Sequence, residues 1–323
     1  MSQTHEFYMA RALQLAELGL YSTSPNPRVG CVIVKDGAIV GEGWHQKAGE
    51  PHAEVHALRM AGEQARGATA YVTLEPCSHY GRTPPCAEGL IKAGVARVVG
   101  ACSDPNPLVA GRGYNMLREA GIEVITPCLE SQAIAINKGF MQRMQTGLPY
   151  TRVKLAQSLD GRTAMASGES QWITGDVARA HVHARRAGAD AILVGGGTWR
   201  SDKPRLDVRL PGLEQRSPQR AVLTRGVPPN GVKVISTPEQ IETLDAFYLY
   251  IEAGANIAAS FLSADLVDRL EIYRAPIVIG NGYAAVGDIG LGALADAHGR
   301  WALEERRQLG SDSFEAYSRL RQK

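Results

Sequence analysis

The order of apolar and polar residues in the first half of the chain alternates between strand-like and helix-like patterns. Apolar positions at helical spacing predict an amphipathic helix over residues 7–18. The β-branched run at 29–34 predicts a central strand, and Asp36-Gly37 is a hairpin signal, so residues 39–45 are expected to return as the next strand. Further strands are predicted over 69–74, 96–100 and 122–125, and helices over 53–61, 88–93 and 114–120. This alternation favours a partly parallel sheet covered by helices on both faces.

A second series of strands follows a break at Thr146-Gly147-Leu148-Pro149, which ends a helix expected over 129–145. The break predicts two domains, 1–146 and 150–323. Strands are predicted over 151–156, 191–194, 219–224, 232–235, 248–252, 266–274, 276–280 and 314–320, and a helix over 176–187. The turn at 195–198 and the small residues at 254–260 each follow a strand, where an anion could approach backbone N–H groups. The triple glycine at 195–197 does not match G-x-G-x-x-G, so no Rossmann fold is inferred.

Composition limits the class of protein. The 323 residues are long for a single core, so two domains are expected, and 44% apolar with 21% charged residues is the profile of a globular protein. A net charge of +2 argues against nucleic acid or an anionic membrane as an obligate partner, and no apolar run is long enough to predict a transmembrane helix. The N-terminal residues indicate a helix and not a signal peptide. Five cysteines do not make a disulfide framework, and an odd count with two assigned to a metal favours a reducing, cytoplasmic location.

The order of residue types between His52 and Cys86 predicts a catalytic zinc site. His52, Cys77 and Cys86 offer one imidazole and two thiols, and three protein ligands leave the fourth zinc position to water. Zinc lowers the pKa of bound water from about 15.7 to about 7, so hydroxide is available at neutral pH. Glu54 lies close to His52 in the chain and can carry the proton from that water to a leaving amine. A His-x-Glu pair followed by Pro-Cys and a second cysteine is the signature of the zinc deaminases, although the cysteines are further apart here than in the common nucleoside form.

Two polar residues earlier in the chain are candidates for substrate contact. Asn26 lies between two prolines that restrict the backbone, so it is held on a rigid turn. His45 falls at the end of a predicted strand, where it is either a polar strand end or a substrate contact. The run Asp104-Pro105-Asn106-Pro107 forms a loop after another predicted strand, which is the usual location for ligand groups.

Runs of residues in both halves of the chain match the pattern of one known family. In the first half the resemblance rests on Pro25-Asn26-Pro27, Gly30, His52-Ala53-Glu54, the run Thr73-Leu74-Glu75-Pro76-Cys77-Ser78-His79 through Gly81-Arg82-Thr83-Pro84-Pro85-Cys86, Asp104-Pro105-Asn106-Pro107 and Gly111-Arg112-Gly113. In the second half it rests on Lys154, Ser158-Leu159-Asp160-Gly161, Ser167-Gly168-Glu169-Ser170-Gln171-Trp172-Ile173-Thr174, Thr198, Asp202, Pro204, Leu206, and Glu252 with Gly254. On these residues the sequence resembles the family of bifunctional riboflavin-biosynthesis deaminase–reductases across nearly its full length, and the wide spacing of the two cysteines is this family's own.

The resemblance implies two activities on two folds. A cytidine-deaminase-like α/β/α sandwich with a mixed sheet would hydrolytically deaminate a diaminopyrimidinone ribosylamino 5′-phosphate with one zinc ion per chain. A dihydrofolate-reductase-like α/β domain would then reduce the ribosyl group to ribityl with NADPH. Partners would be small pyrimidine ribosyl phosphates, with no nucleic acid and no membrane, and the oligomeric state, including a homo-oligomer, stays open.

The resemblance also implies roles for individual residues. By position, His52, Cys77 and Cys86 would hold zinc, and Glu54 would be the proton shuttle. The implied substrate contacts of the reductase are Ser170, Arg186, Leu206, Arg209 and Glu252. The implied cofactor contacts are Ala156, Trp172, Thr198, Asp202 and the segment Gly254, Ala255, Asn256, Ile257, Ala258, Ala259 and Ser260.

The second half departs from the family pattern at one run. Many members carry Val-Leu-Ala-Asp-Asp-Pro after the threonine, where this chain has Trp199-Arg200-Ser201-Asp202-Lys203-Pro204, and the segment 209–247 is shorter than in many members. One alternative is therefore a deaminase of another base or nucleoside whose C-terminal domain has lost its chemistry. Another is a nucleotide-binding regulatory protein with a structural zinc. Glu54 and the three-ligand count argue against the regulatory protein, because a structural site needs neither an open position nor a nearby base.

Overall fold

A computed structural model describes residues 3–80, 84–106, 110–227 and 229–321. The chain divides into two compact units, Met1–Gly147 and Leu148–Lys323, here called the N-terminal and C-terminal units. In the described residues, no helix combines the length and apolar character needed to cross a membrane.

The N-terminal unit is a five-stranded mixed sheet with helices. Its helices are α1 (Gln3–Glu17), α2 (Ala53–Ala61), α3 (Cys86–Ala93), α4 (Arg112–Glu119), α5 (Glu130–Ile136) and α6 (Lys138–Thr146). Its strands are β1 (Gly30–Lys35), β2 (Ala38–Trp44), β3 (Thr69–Val72), β4 (Arg97–Gly100) and β5 (Glu123–Ile125), in the order β2-β1-β3-β4-β5. Strand β1 is antiparallel to both of its neighbours, whereas β3, β4 and β5 are parallel. The partly parallel sheet predicted from the sequence is confirmed.

The β1–β2 hairpin and its two glycines determine where α2 lies. Asp36 and Gly37 both have positive φ, 50° and 81°, as a two-residue turn matched to the strand twist requires. On β2, a Cβ added to Gly41 would lie 2.2 Å from the Ala57 carbonyl oxygen, and one added to Gly43 would lie 2.4 Å from that of Ala53. Helix α2 therefore packs directly on the backbone of β2, and only glycine permits this approach.

The single helix predicted over 129–145 is wrong, because the structure has two helices that meet at Asn137. The Asn137 side chain accepts a hydrogen bond from the Arg28 backbone N–H (2.8 Å) and donates one to the Arg28 carbonyl oxygen (2.8 Å). A buried asparagine that bonds to backbone groups competes with helix continuation, and the apolar pattern does not reveal this. The contact fixes the turn that carries Asn26.

The C-terminal unit contains an eight-stranded sheet and a small two-stranded one. Its strands are β6 (Tyr150–Gln157), β7 (Arg162–Met165), β8 (Ala191–Gly195), β9 (Gln219–Leu223), β10 (Lys233–Ile235), β11 (Tyr248–Glu252), β12 (Arg269–Arg274), β13 (Gly282–Ala284), β14 (Trp301–Leu309) and β15 (Asp312–Arg319). Its helices are α7 (Asp176–Ala187), α8 (Gly196–Asp202) and α9 (Ala255–Ser263). The large sheet has the order β10-β9-β8-β11-β6-β12-β15-β14, parallel from β10 to β12 and antiparallel beyond, and β13 pairs with β7.

Two predictions for the C-terminal unit are wrong for identifiable reasons. Residues 276–280 are apolar but form a loop, because the Asp160 carboxylate accepts hydrogen bonds from the backbone N–H groups of Ile279 (3.1 Å) and Gly280 (2.8 Å). Strand β14 was not predicted, because its centre is charged and lies at the sheet edge with exposed or half-buried side chains.

Candidate functional site

The three predicted metal ligands of the N-terminal unit come together at the starts of two helices. His52 is the N-cap of α2, and Cys86 is the first residue of α3. His52 Nδ1 lies 3.3 Å from Cys86 Sγ and 3.6 Å from Cys77 Sγ, and all three atoms lie within 4.8 Å of one another. Tetrahedral zinc with its usual bond lengths places a nitrogen and a sulfur ligand about 3.5 Å apart. The donor set and spacing of this zinc cluster therefore fit the ion.

The thiol groups of the zinc cluster favour a thiolate at Cys77. The pKa of Cys77 is lowered to about 4, chiefly by a hydrogen bond from the Cys86 thiol and then by His52. The backbone N–H of Cys86, at the start of α3, also donates to Cys77 Sγ at 3.3 Å. The same thiol–thiol bond raises the pKa of Cys86. The thiolate is the form that binds a metal. The helix start and the imidazole stabilise this form of Cys77 and so favour the binding of a cation.

Glu54 is a buried carboxyl group beside the zinc cluster. It lies in the first turn of α2, is 3% exposed, and its Oε2 atom is buried without a hydrogen-bond partner in the described part of the chain. Burial raises the pKa of Glu54, and the charge of Cys77 raises it further. A buried carboxyl with one uncommitted oxygen and a raised pKa is suited to take up and release a proton.

Asn26 and His45 also lie at the zinc cluster. The rings of His45 and His52 are 5.3 Å apart, and His45 is buried. His45 Nδ1 contacts the Pro51 carbonyl oxygen (3.2 Å), which can only accept, so Nδ1 carries the proton and Nε2 accepts from Asn26 Nδ2 (3.0 Å). Burial lowers the pKa of His45, in agreement with this neutral form. The predicted motif residues 81–83 and 107 lie outside the described residues.

In the C-terminal unit, a largely buried ion pair, with side chains 11% and 14% exposed, joins α7 to the end of β11. Arg186 donates from Nε to Glu252 Oε1 (2.5 Å) and from Nη2 to Oε2 (3.1 Å), and its Nη1 donates to the Asp207 carbonyl oxygen (2.8 Å). Lys154 on β6 brings its Nζ atom to 3.9 Å from Glu252 Oε2. Burial alone would raise the pKa of Glu252, but the charges of Lys154 and Arg186 outweigh it and the pKa is lowered. Burial lowers the pKa of Lys154.

Lys154 was not among the predicted site residues, although the family resemblance includes it. The available signal was a lysine between Val153 and Leu155 in a central strand, because a cation largely removed from water needs an anionic partner. That partner, Glu252, is far away in sequence and becomes a neighbour only through the β6–β11 pairing.

The other predicted substrate residues differ in how closely they approach this ion pair. Arg209 is close: its backbone N–H donates to His183 Nδ1 (3.2 Å), and its side chain is 53% exposed. Leu206 is buried in the core. Within the described residues, no hydrogen bond or ion pair connects Ser170 or Trp172 to Arg186 or Glu252. Trp172 is 66% exposed, and the Arg179 guanidinium lies 4.8 Å from its ring centroid.

The predicted cofactor segments meet at the carboxyl ends of two adjacent parallel strands. A Cβ added to Gly195, at the end of β8, would lie 2.7 Å from Ile257 Cγ1 of α9. Helix α8 carries Thr198 and Asp202, and β6 carries Ala156. A crevice at the carboxyl ends of parallel strands is where α/β sheets bind ligands.

Part of the predicted cofactor segment is buried or hydrogen-bonded within α9. Ala258 and Ala259 are buried, and the Ser260 hydroxyl donates back to the Ile257 carbonyl oxygen (2.9 Å). The residues available to a ligand are those nearest the helix start, Gly254, Ala255 and Asn256, which are partly or fully exposed.

These sites define a zinc deaminase unit joined to a reductase-type α/β unit. Comparisons with known proteins agree: residues 2–102 match the family model of the cytidine and deoxycytidylate deaminase zinc-binding region, and residues 149–313 match that of the RibD C-terminal domain. The riboflavin biosynthesis protein RibD of Escherichia coli (strain K12) is 48% identical, over 95% of this chain and 97% of that protein. RibD of Haemophilus influenzae is 46% identical, over 94% and 95%.

Solved structures show the same relationship. Acinetobacter baumannii RibD, form 1, has a TM-score of 0.92 at 44% identity and covers 99% of both chains. A Thermotoga maritima structure, described as a diaminohydroxyphosphoribosylaminopyrimidine deaminase/5-amino-6-(5-phosphoribosylamino)uracil reductase, has a TM-score of 0.85 at 31% identity and covers 98% of this chain and 99% of that one. The chain belongs to the RibD family of riboflavin biosynthesis proteins, which are bifunctional deaminase–reductases. The family, the pair of α/β folds and the two activities predicted from the sequence are confirmed.

Proposed function

We propose that the two units catalyse consecutive steps on one substrate. The N-terminal domain, residues 1–146, hydrolytically deaminates 2,5-diamino-6-ribosylamino-4(3H)-pyrimidinone 5′-phosphate. The C-terminal domain, residues 150–323, then reduces the ribosyl group to ribityl with NADPH, giving 5-amino-6-ribitylamino-uracil 5′-phosphate. The observation that carries the first step is the zinc cluster with the uncommitted Glu54 oxygen beside it. The activity described for the Thermotoga maritima relative supports both steps.

In the deaminase, each residue has a separate task. His52, Cys77 and Cys86 hold one zinc ion per chain, which when bound supplies a water with a pKa near about 7. Glu54 takes a proton at Oε2 and delivers it to the leaving amine. Asn26 and His45 form a fixed hydrogen-bonded pair that binds the pyrimidine. Because the two thiols must stay reduced to bind zinc, a cytoplasmic location suits the enzyme.

Replacing Cys77 by alanine should remove zinc and deaminase activity together. Cys77 is the ligand with the lowered pKa, and its loss leaves only His52 and Cys86, whereas zinc sites of this kind use at least three protein ligands. Metal analysis by plasma mass spectrometry should find less than about one tenth of the wild-type zinc, since metal-site losses of this kind exceed the 10–100-fold effects of outer residues. Cys102→Ser is the matched control, because buried Cys102 donates to the Thr73 carbonyl oxygen, a role that a serine hydroxyl can keep. Retained zinc in Cys77→Ala would contradict the assignment.

In the reductase, the Arg186–Glu252 ion pair and the exposed Arg209 contact different parts of the substrate. Arg186 has its guanidinium committed to Glu252 and to the Asp207 carbonyl oxygen, so it orients Glu252 towards the ribose hydroxyls. Arg209, with an exposed side chain, binds the sugar phosphate. Ser170 and Leu206 complete the proposed substrate contacts, and Lys154 supplies a buried positive charge beside Glu252.

The proposed cofactor site lies at the carboxyl ends of β8 and β11, beside α8 and α9. Ala156, Trp172, Thr198, Asp202 and residues 254–260 are its proposed contacts, and the reductase fold implies a nicotinamide cofactor. For NADPH in particular, the support is the charge around the turn after β9. Arg200 Nη1 lies 3.0 Å from a Cβ added to Gly196 and 3.8 Å from one added to Gly226, and Arg225 is exposed in the same turn. In the described part of the chain neither arginine forms an ion pair, so both are available to the 2′-phosphate.

Arg200→Leu, which restores the family's usual leucine, should weaken NADPH binding by about tenfold, because a hydrogen bond to a charged group contributes about 1.5–3 kcal/mol. Binding of NADH should not change. Fluorescence titration with the two cofactors measures this directly, without turnover. Lys233→Leu, at the amino end of β10, is the control with equal charge loss. Equal weakening of both cofactors would assign Arg200 to another part of the nucleotide.

The whole proposal is tested by adding the diaminopyrimidinone substrate and NADPH to the purified protein. Ammonia release should precede NADPH oxidation, with one NADPH consumed for each ammonia. Ammonia without NADPH oxidation would favour the alternative in which the C-terminal domain has lost its chemistry. Absence of both products would reject the proposal.

A further inference from the structure

A second buried carboxylate of the N-terminal unit lies next to the zinc cluster in sequence but is not a ligand. Glu75 is 4% exposed, and its two oxygens accept hydrogen bonds from backbone N–H groups of two other segments. Oε2 accepts from Asp104 (3.2 Å) and Gly111 (3.0 Å), and Oε1 accepts from Gly113 (2.9 Å) and, at 3.4 Å, from Tyr114. One side chain thus holds both the end of the connection after β4 and the first turn of α4.

A glycine contact between the same two segments shows that their backbones pack closely against each other. A Cβ added to Gly113 would lie 1.9 Å from the Pro76 carbonyl oxygen, so only glycine allows α4 to begin against the backbone of 75–76. The Glu75 N–H also donates to the Cys102 carbonyl oxygen (3.0 Å). We call these contacts of Glu75 and Gly113 the α4 clamp. The clamp starts two residues before the zinc ligand Cys77 in the sequence.

The segment held by the clamp lies beside the segment that leads into Cys77. Asp104 is partly buried, and its backbone N–H donates to Glu75, two residues before Cys77. Its Oδ1 accepts a hydrogen bond from the Asn106 N–H (2.8 Å), which fixes the side chain along the loop. Asp104 and Asn106 therefore present polar groups beside the segment that supplies Cys77.

We propose that Glu75 is a positioning residue of the deaminase: through the α4 clamp it sets the place of Asp104 and Asn106 relative to Cys77, and so shapes the wall of the pocket that receives the pyrimidine. This proposal rests on the deaminase function proposed above. A carboxylate is required because all four partners are donors, and a carboxylate offers only acceptors. A glutamine would turn an NH₂ group towards one pair of these N–H groups and lose both bonds. The start of α4 would lose its anionic partner at the same time.

Glu75→Gln tests the proposal in the full-length, zinc-loaded enzyme. We expect zinc content to stay at the wild-type level, the KM for the diaminopyrimidinone substrate to rise about tenfold, and kcat to change less than threefold. The reductase, assayed with the deaminated substrate, should be unchanged. Hydrogen exchange should show faster exchange of the Gly111, Gly113 and Tyr114 amides. Glu119→Gln, an exposed carboxylate at the other end of α4, should leave all five readouts unchanged.

The outcomes separate positioning from a purely structural or a metal-binding role. A lower melting temperature with an unchanged KM would show that Glu75 only stabilises the fold, and loss of zinc would make it part of metal retention; either result overturns the proposal. If neither wild type nor variant deaminates this substrate, the proposed function fails instead, which keeps the two failures distinguishable. Gly113→Ala, which disturbs the clamp without changing any charge, should reproduce the rise in KM with zinc retained. A wild-type KM in this variant would also count against the clamp.

Discussion

Glu54→Gln should abolish ammonia release and leave zinc in place. The substitution keeps the size and the burial of the side chain at the start of α2 but removes the group that takes up and releases a proton. The substitution changes none of the three ligand side chains, whose ligand atoms lie within 4.8 Å of one another. General acid–base groups contribute about 10²–10⁴-fold, and here one group serves both halves of the proton transfer, so we expect a loss of at least ~10³-fold in kcat.

Three measurements on the same sample check this expectation. Ammonia release gives kcat, metal analysis gives the zinc content, and NADPH oxidation with the deaminated substrate shows that the C-terminal unit is intact. Glu63→Gln, an exposed carboxylate just after α2, is the matched control and should behave as wild type. Turnover by Glu54→Gln within tenfold of wild type would remove Glu54 from its assigned role.

The fold was predictable where a local pattern and the packing agree. The β1–β2 hairpin is one case, because Asp36-Gly37 favours the positive φ values that its turn adopts. Strand β14 is the opposite case: Glu304, Glu305 and Arg307 line an edge strand, where charged residues discourage pairing with another chain and erase the apolar alternation. Residues 276–280 are the reverse case: their apolar pattern predicts a strand, but hydrogen bonds to Asp160 hold them as a loop.

The deaminase site was more predictable than the reductase site, for a physical reason. Zinc requires particular residue types, so His52, Cys77 and Cys86 are visible in the sequence even though they come from separate elements. The reductase ion pair needs no rare residue type. Arg186 and Glu252 are ordinary residues until α7 and β11 bring them together, and Lys154 gains its partner only through strand pairing. The family resemblance identified Arg186 and Glu252 as site residues, which the apolar and polar pattern could not do, but it did not identify the role of Lys154.

Glu252→Gln should have the largest effect in the C-terminal unit, on both activity and stability. It leaves Arg186 and Lys154, two largely buried cations, without their shared anion. Breaking a buried ion pair on one side costs about 3–5 kcal/mol. For a domain of this size each kcal/mol lowers the melting temperature by roughly 2–4 °C, so the C-terminal unit should melt on the order of 10 °C lower. Reductase kcat/KM should fall at least ~10²-fold, because Glu252 is also the proposed partner of the ribose hydroxyls, while deamination is unchanged.

The pH dependence of this difference identifies its cause. The pKa of Glu252 is lowered from 4.5 in the folded protein, so its contribution to stability is present above pH 4.5 and is lost as the pH falls through the lowered value. Melting curves recorded from pH 7 downwards should therefore show wild type and Glu252→Gln converging below pH 4.5. Glu214→Gln, an exposed carboxylate of the same unit, should show no difference at any pH. A gap between wild type and Glu252→Gln that persists unchanged at acid pH would mean that shape, and not the charge shared by Arg186 and Lys154, holds β6, β11 and α7 together at this site.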